Sequence, residues 1–269
     1  MGVCGRHTAV VATLWPRSVS TRPRHSAGGG VDDDRVARRQ CRREVMRVGL
    51  LAVIMAAEAL QLSDTYHRLL EAVPKPMPLI SPLPMVYHSK FTPAHVAMRP
   101  DCAAQVRSSD SLFSAPATPE ERPRRRAVLA SVWLGLGMLD ECHELVTPES
   151  YSGSDSAYLH ALLHRREGPN VGEVSMTGFD NSRYWFGVLG AHETFRDVRH
   201  AAAGVSRDAS PLVDAFLDGL GETWDPFRFV SLCEAAVDHA DEAAAAYCRA
   251  VQQDEWDLLH ARIVASLNG

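Results

Sequence analysis

Ala157-Tyr158-Leu159-His160-Ala161-Leu162-Leu163-His164-Arg165-Arg166-Glu167-Gly168-Pro169 is the stretch on which the fold turns. Ser154 or Asp155 stands where a helix cap belongs, the apolar residues recur at helical spacing, and a Gly followed by a Pro is a strong stop. This segment is therefore a helix that ends at Gly168. On it, His160 and His164 are four apart and share one face, with Glu167 a turn further on.

The flanking segments read the same way. Upstream, Thr118-Pro119-Glu120-Glu121 has a capping threonine, a first-turn proline and acids facing the positive end of the helix dipole. Leu129, Val132, Leu136, Leu139, His143 and Val146 then form one apolar stripe carrying a histidine, and Gly135 and Gly137 divide it into two helices joined by a tight turn. Downstream, Asp180 is expected to cap Asn181 to Leu189, with Phe179 and Tyr184 as a hydrophobic staple and Gly190 as the end. Further helices are expected at Pro211 to Leu220, at Asp225-Pro226 to Val237 with Asp225 as the cap, and at Asp241 to Leu267. No alternating run is long enough to need a sheet. The fold class is all-α: antiparallel helical hairpins, tetratricopeptide-like or an irregular bundle.

Between Val73 and Pro119 prolines fall at 74, 76, 78, 82, 84, 93, 100, 116 and 119, a density that excludes a continuing helix. This is a Pro-rich extended strap laid over the helices, anchored by Leu79, Ile80, Leu83, Met85 and Tyr87. Before it, helical patterning runs from about Arg42 to Ala72, restarting at an N-cap near Ser63-Asp64. Val48 to Ala57 would suit a targeting signal if translation began at Met46. The spacing continued through Leu60, Leu62, Leu69 and Leu70 favours a core helix.

The whole chain has 269 residues, 46% hydrophobic and 23% charged, with a formal net charge of −5. The average hides two unlike parts. Nine of the 28 basic residues and four of the 33 acidic ones lie in residues 1–45, a balance of +5, which leaves −10 for the rest. Residues 1–41 read as a disordered basic leader, either an organellar transit peptide or non-coding sequence read in frame, and 42–269 as a single helical domain. The acidic body argues against nucleic acid, whose binding rests on clustered Lys and Arg. No apolar run reaches the ~18 to 20 residues of a transmembrane helix. Cytoplasmic residence is the expectation, with organellar import as the alternative. The six cysteines form no CxxC pair, and Cys142, Cys233 and Cys248 read as small buried hydrophobes.

Two resemblances add to this. Leu134 to Cys142, and Arg166-Glu167-Gly168 with Phe179-Asp180-Asn181-Ser182, resemble the turn of a tetratricopeptide-type hairpin. Cys142 and Ser182 take the place of the small residue where paired helices touch, and Tyr184-Trp185-Phe186 the aromatic part of the second helix. Less an insertion after Gly168, the two units repeat at a period near ~34 residues. HALLHRREG, followed by DNSRYWFGVLGAH and by WDPFRFVSLCEAA, resembles a family of uncharacterised all-helical proteins, in which the two first stretches join directly; here Pro169 to Thr177 separates them. That resemblance implies a helical fold and no particular activity.

The chemistry-bearing residues cluster at His143, His160, His164, Arg166, Glu167, Tyr184 and His192. His-x3-His lets two imidazoles hold one divalent metal, and Glu141, His143 or His192 would complete such a site. Arg165 and Arg166 would otherwise pair with Asp140, Glu141 or Glu144 between packed helices. There is no GxSxG elbow, no dinucleotide fingerprint and no HExxH, since position 147 is Thr. Two functions follow. One is a protein-interaction or scaffold module with a protein or peptide partner and no cofactor. The other is an enzyme or a small-ligand or metal-binding protein with its site between hairpins.

Overall fold

The computed structural model describes residues 62–82, 85, 112–113, 116–151, 154–170 and 175–268. The expected leader and the helical segment 42–61 lie outside them, as do Leu83 and Tyr87. Among the described residues the protein is all-α, with one isolated bridge between Leu62 and Phe113 in place of a sheet. The helices are α1 (Asp64–Glu71), α2 (Arg122–Leu136), α3 (Leu139–Val146), α4 (Ser154–Glu167), α5 (Gly178–Leu189), α6 (Phe195–Gly204), α7 (Pro211–Asp218), α8 (Pro226–Asp238) and α9 (Glu242–Ala265). No helix among them is long and apolar enough to cross a membrane.

Local chemistry sets most of the boundaries. Ser63 caps α1 by accepting from the Tyr66 amide, Ser210 caps α7, Asp225 caps α8 and Asp241 caps α9. Thr118 and Glu121 bond reciprocally through side chain and backbone, a capping box, yet α2 proper starts at Arg122 because residues 119–121 form a turn first. The cap of α5 is Thr177 rather than Asp180: its hydroxyl accepts from the Asp180 amide and donates to the Asp180 carboxylate. The earlier start puts Phe179 inside the first turn, buried, while Tyr184 faces outward, so the expected staple does not form.

The α2–α3 turn follows the glycine pattern. Gly137 sits at φ 79°, its amide bonds to the Leu134 carbonyl, and the Met138 amide bonds to Trp133. This is a Schellman motif, in which a left-handed residue ends the helix. Gly137→Ala is expected to lower stability by about 1 kcal/mol, because a Cβ is disfavoured at that φ. Denaturant midpoints would measure the loss, and an unchanged midpoint would contradict it.

α2 and α4 are buried on nearly every side and form the centre of the bundle. α9 packs along α2, α6, α7 and α8 as a spine about 36 Å long at 1.5 Å per residue. Close approach is possible where side chains vanish: a Cβ on Gly135 would stand 2.6 Å from the Trp256 ring, and one on Gly178 would stand 2.4 Å from the His164 carbonyl. Cys142 is buried, and buried Ser182 donates to the Ala161 carbonyl at 2.8 Å, tying α5 to α4.

The proline-rich segment is fastened to this body where it is described. Gln253 accepts from the Met77 amide, Gln252 donates to the Pro78 carbonyl, and the Ser81 amide donates to the Arg166 carbonyl at 2.7 Å. Val73, Met77, Leu79 and Met85 are buried, and Ile80 packs partly buried against Gly168. Glutamines from the spine thus satisfy a backbone that, lacking helix or sheet, has no internal partners.

α6 is the helix the sequence reading missed. Phe195, Val198, Ala201 and Ala202 are spaced for a helix, but three alanines and several charges make a weak stripe. Packing supplies what periodicity lacks: α6 lies on α9, and the buried Tyr247 hydroxyl donates to the Ala202 carbonyl.

Candidate metal centre

Two turns of α4, the last turn of α3 and the first two turns of α5 build the site. Successive residues on a helix turn by about 100°, so His160 and His164 point the same way, toward α3 and α5, while Tyr158 and Arg165 point toward α9. One ring nitrogen from each of His143, His160 and His164 lies within 4.8 Å of the other two. The His160 and His164 rings are stacked at 5.0 Å, Trp185 of α5 stacks on His160 at 3.8 Å, and His143 meets both histidines edge-on. His160 and His164 are buried and His143 half-buried.

The hydrogen bonds determine which nitrogen of His160 carries its proton. Ser150 has one hydroxyl proton and donates it to the Val146 carbonyl at 2.7 Å, so its oxygen accepts from His160 Nδ1–H at 2.8 Å. At His143, Thr147 donates to the His143 carbonyl at 2.7 Å and its hydroxyl oxygen lies 3.5 Å from the ring Nδ1. His164 Nδ1–H donates to Glu167 Oε2 at 2.8 Å. In His160 the unprotonated nitrogen is therefore Nε2. That atom is buried with no hydrogen-bond partner. The Asn181 amide nitrogen lies 3.0 Å from His164 Nε2 and 3.3 Å from Nδ1. An atom nearly equidistant from both nitrogens is off the lone-pair axis of either.

Electrostatics prepares the same state. Burial, with His164 and His143 beside it, holds His160 far below the ordinary imidazole value and so keeps it neutral. A neutral imidazole with its Nδ1–H donated and its Nε2 bare is the form that binds a metal. The Glu167–His164 pair is the carboxylate–histidine arrangement that orients such a ligand.

The other expected site residues lie elsewhere. Arg166 is two residues from His164, about 200° around the helix, and donates to the Leu134 carbonyl at the end of α2. There its charge meets the negative end of the helix dipole. Burial lowers its value to about 10, leaving it a cation at neutral pH. His192 contacts Asp155 at 3.2 Å, accepts from the Thr194 amide and packs edge-on against Tyr158. Tyr184 is 48% exposed, with its hydroxyl 3.1 Å from that of Tyr151, so it stands outside the imidazole group.

Three contributors were not legible as such. Ser150 lies in a short 3-10 segment boundary, and its role depends on the chain turning back from α3 to α4. Asn181 and Trp185 sit on α5, whose register followed from the Thr177 cap. The acidic partner of Arg165 is Glu255 on α9, at 2.5 Å, rather than a neighbour in 140–144. His260, not expected at a site, shows a histidine with both nitrogens satisfied: Tyr66 at 2.7 Å and Ser131 at 2.8 Å.

Compared with known protein families, with curated proteins and with solved structures, the chain finds no match, and its chemistry is read from its own residues.

Proposed function

We propose that this chain is a metal-binding helical protein whose centre is His143, His160 and His164, loaded with a divalent transition ion such as zinc. The observation that carries the reading is the bare, buried Nε2 of His160 beside two further imidazoles. A buried acceptor without a partner costs about 1–3 kcal/mol, which a metal bond more than offsets. Tetrahedral zinc with Zn–N of about 2.0–2.1 Å needs nitrogens ~3.3 Å apart, so the rings close by at most about 1.5 Å. His143 is the half-buried ring of the three. His260 is the internal contrast: a core histidine with two partners carries no spare lone pair.

Metal content of the purified protein tests this. One equivalent of zinc is expected after loading and exhaustive dialysis, and Glu167→Gln should weaken zinc affinity about 10–100-fold by releasing the His164 orientation. His160→Ala should abolish tight binding, with helicity measured alongside to separate loss of ligand from loss of fold. Absence of stoichiometric metal in the wild type, or equal affinity in both variants, overturns the reading.

The peptide-holding alternative, with its tetratricopeptide-like hairpins α2–α3 and α4–α5, draws support from one feature. Tyr151 is 71% exposed and, with Tyr184 and Val188, puts apolar surface on the outer face of α5. Replacing Tyr151 and Tyr184 by serine separates the readings, since a metal protein keeps its zinc affinity.

A further inference from the structure

We propose that the metal held by His143, His160 and His164 keeps one coordination position open to an exogenous anion, hydroxide or a small carboxylate-like ligand, reached past His143. This inference rests on the metal-binding reading above and adds to it what the centre binds. Three observations support it.

The first is donor count. Among the described residues the three histidines form the group able to hold an ion, with no cysteine or carboxylate joining them. Glu167, the nearest acid named on α4, spends its oxygen on His164 Nδ1. A tetrahedral ion therefore has one position left, as in zinc centres that carry water, and unlike closed four-ligand structural sites.

The second is charge. Three imidazole ligands carry no charge of their own, and the one Glu167 carboxylate behind His164 would leave a divalent ion net positive, which would favour an anion and lower the pKa of bound water to about 7. Hydroxide is then available near neutrality without any further base: bound water loses one proton to solvent and its oxygen stays on the metal.

The third is access. His160 is covered by Trp185 on its ring face, and His164 is enclosed by Glu167 and Asn181, but His143 is half-buried on the short helix α3. Its neighbour Thr147 is exposed. The centre has two buried ligands inside and one half-buried ligand nearer the surface. That arrangement suits an ion that exchanges its fourth partner.

Cobalt(II) loading of the full chain gives a direct readout, because cobalt absorption reports coordination number and ligand identity. One equivalent of cobalt, displaced by one equivalent of zinc, is expected to show tetrahedral bands. Azide at millimolar levels should shift those bands saturably, and raising the pH from mildly acid to mildly alkaline should shift them with a midpoint near 7. If cobalt binds stoichiometrically but neither azide nor pH moves the spectrum, the position is closed by a chain donor and this inference fails while the metal centre stands. Failure to bind cobalt or zinc at all removes the metal centre itself, and the open position with it.

Discussion

Glu255→Leu is expected to destabilise the protein by about 3–5 kcal/mol, enough to consume much of the stability of a typical domain. Glu255 is buried on α9 and accepts from both Arg165 and Tyr158 of α4, at 2.5 and 2.7 Å. Removing the carboxylate leaves the Arg165 guanidinium buried with only Gln252 and the Phe229 ring beside it. Burial disfavours that cation, and Glu255 is the largest of the neighbours that together more than offset the penalty, so its loss is felt strongly. Tyr158 would lose its acceptor as well. The double exchange Arg165→Met with Glu255→Leu removes both charges and should recover most of the loss, as replaced buried pairs often do. Urea denaturation of the two variants checks this. If the single and double variants are equally destabilised, shape rather than charge pairing governs the contact.

Acid should weaken the metal-free protein well before its carboxylates titrate. Two buried imidazoles, His160 and His260, are held neutral. For His260, burial lowers the value from 6.5 to about 3, with Lys75 adding to the effect. For His160 burial acts together with His164 and His143. In the unfolded chain both titrate near the ordinary value, so below about pH 6.5 the unfolded state binds more protons than the folded one. Stability then falls with falling pH, by about 1.4 kcal/mol per pH unit for each group, or about 3 kcal/mol in all by pH 5.5. Above pH 7 the two groups are neutral in both states and contribute no slope. Denaturation with chelator present at pH 7.5 and 5.5 measures the difference. A flat profile across that window would show that both rings are protonated in the folded state.

Two rings of the proposed metal centre and the structural network share one helix, which links the two readouts. α4 presents His160 and His164 on one side and Tyr158 and Arg165 on the other. Its position against α9 is held by Glu255, and α5 is locked to it through Ser182 and the glycine contact at Gly178. The imidazoles are thus carried on a buried, cross-braced element, the setting in which ligand geometry survives without metal.

Sequence alone determined what depends on neighbours a few residues apart. The helical class, the Gly137 turn, the Gly168 stop, the caps at Ser63 and Asp225 and the shared face of His160 and His164 all arise from dihedral preference, capping and the 3.6-residue repeat. Short-range physics also misplaced the α5 start, because Thr177 and Asp180 are both good caps three residues apart. The tertiary structure decided what long-range packing assigns. His143 joins the pair because the α2–α3 turn folds that helix back across α4. Arg165 meets Glu255 across 90 residues, Tyr66 meets His260 across 194, and Arg166 turns to a helix end instead of the imidazoles. No periodicity encodes such pairings, since each depends on which faces of which helices are brought together when the core closes. The spacing of two histidines was in the chain, but the third imidazole and the bare Nε2 of His160, on which the proposed centre rests, came from the fold.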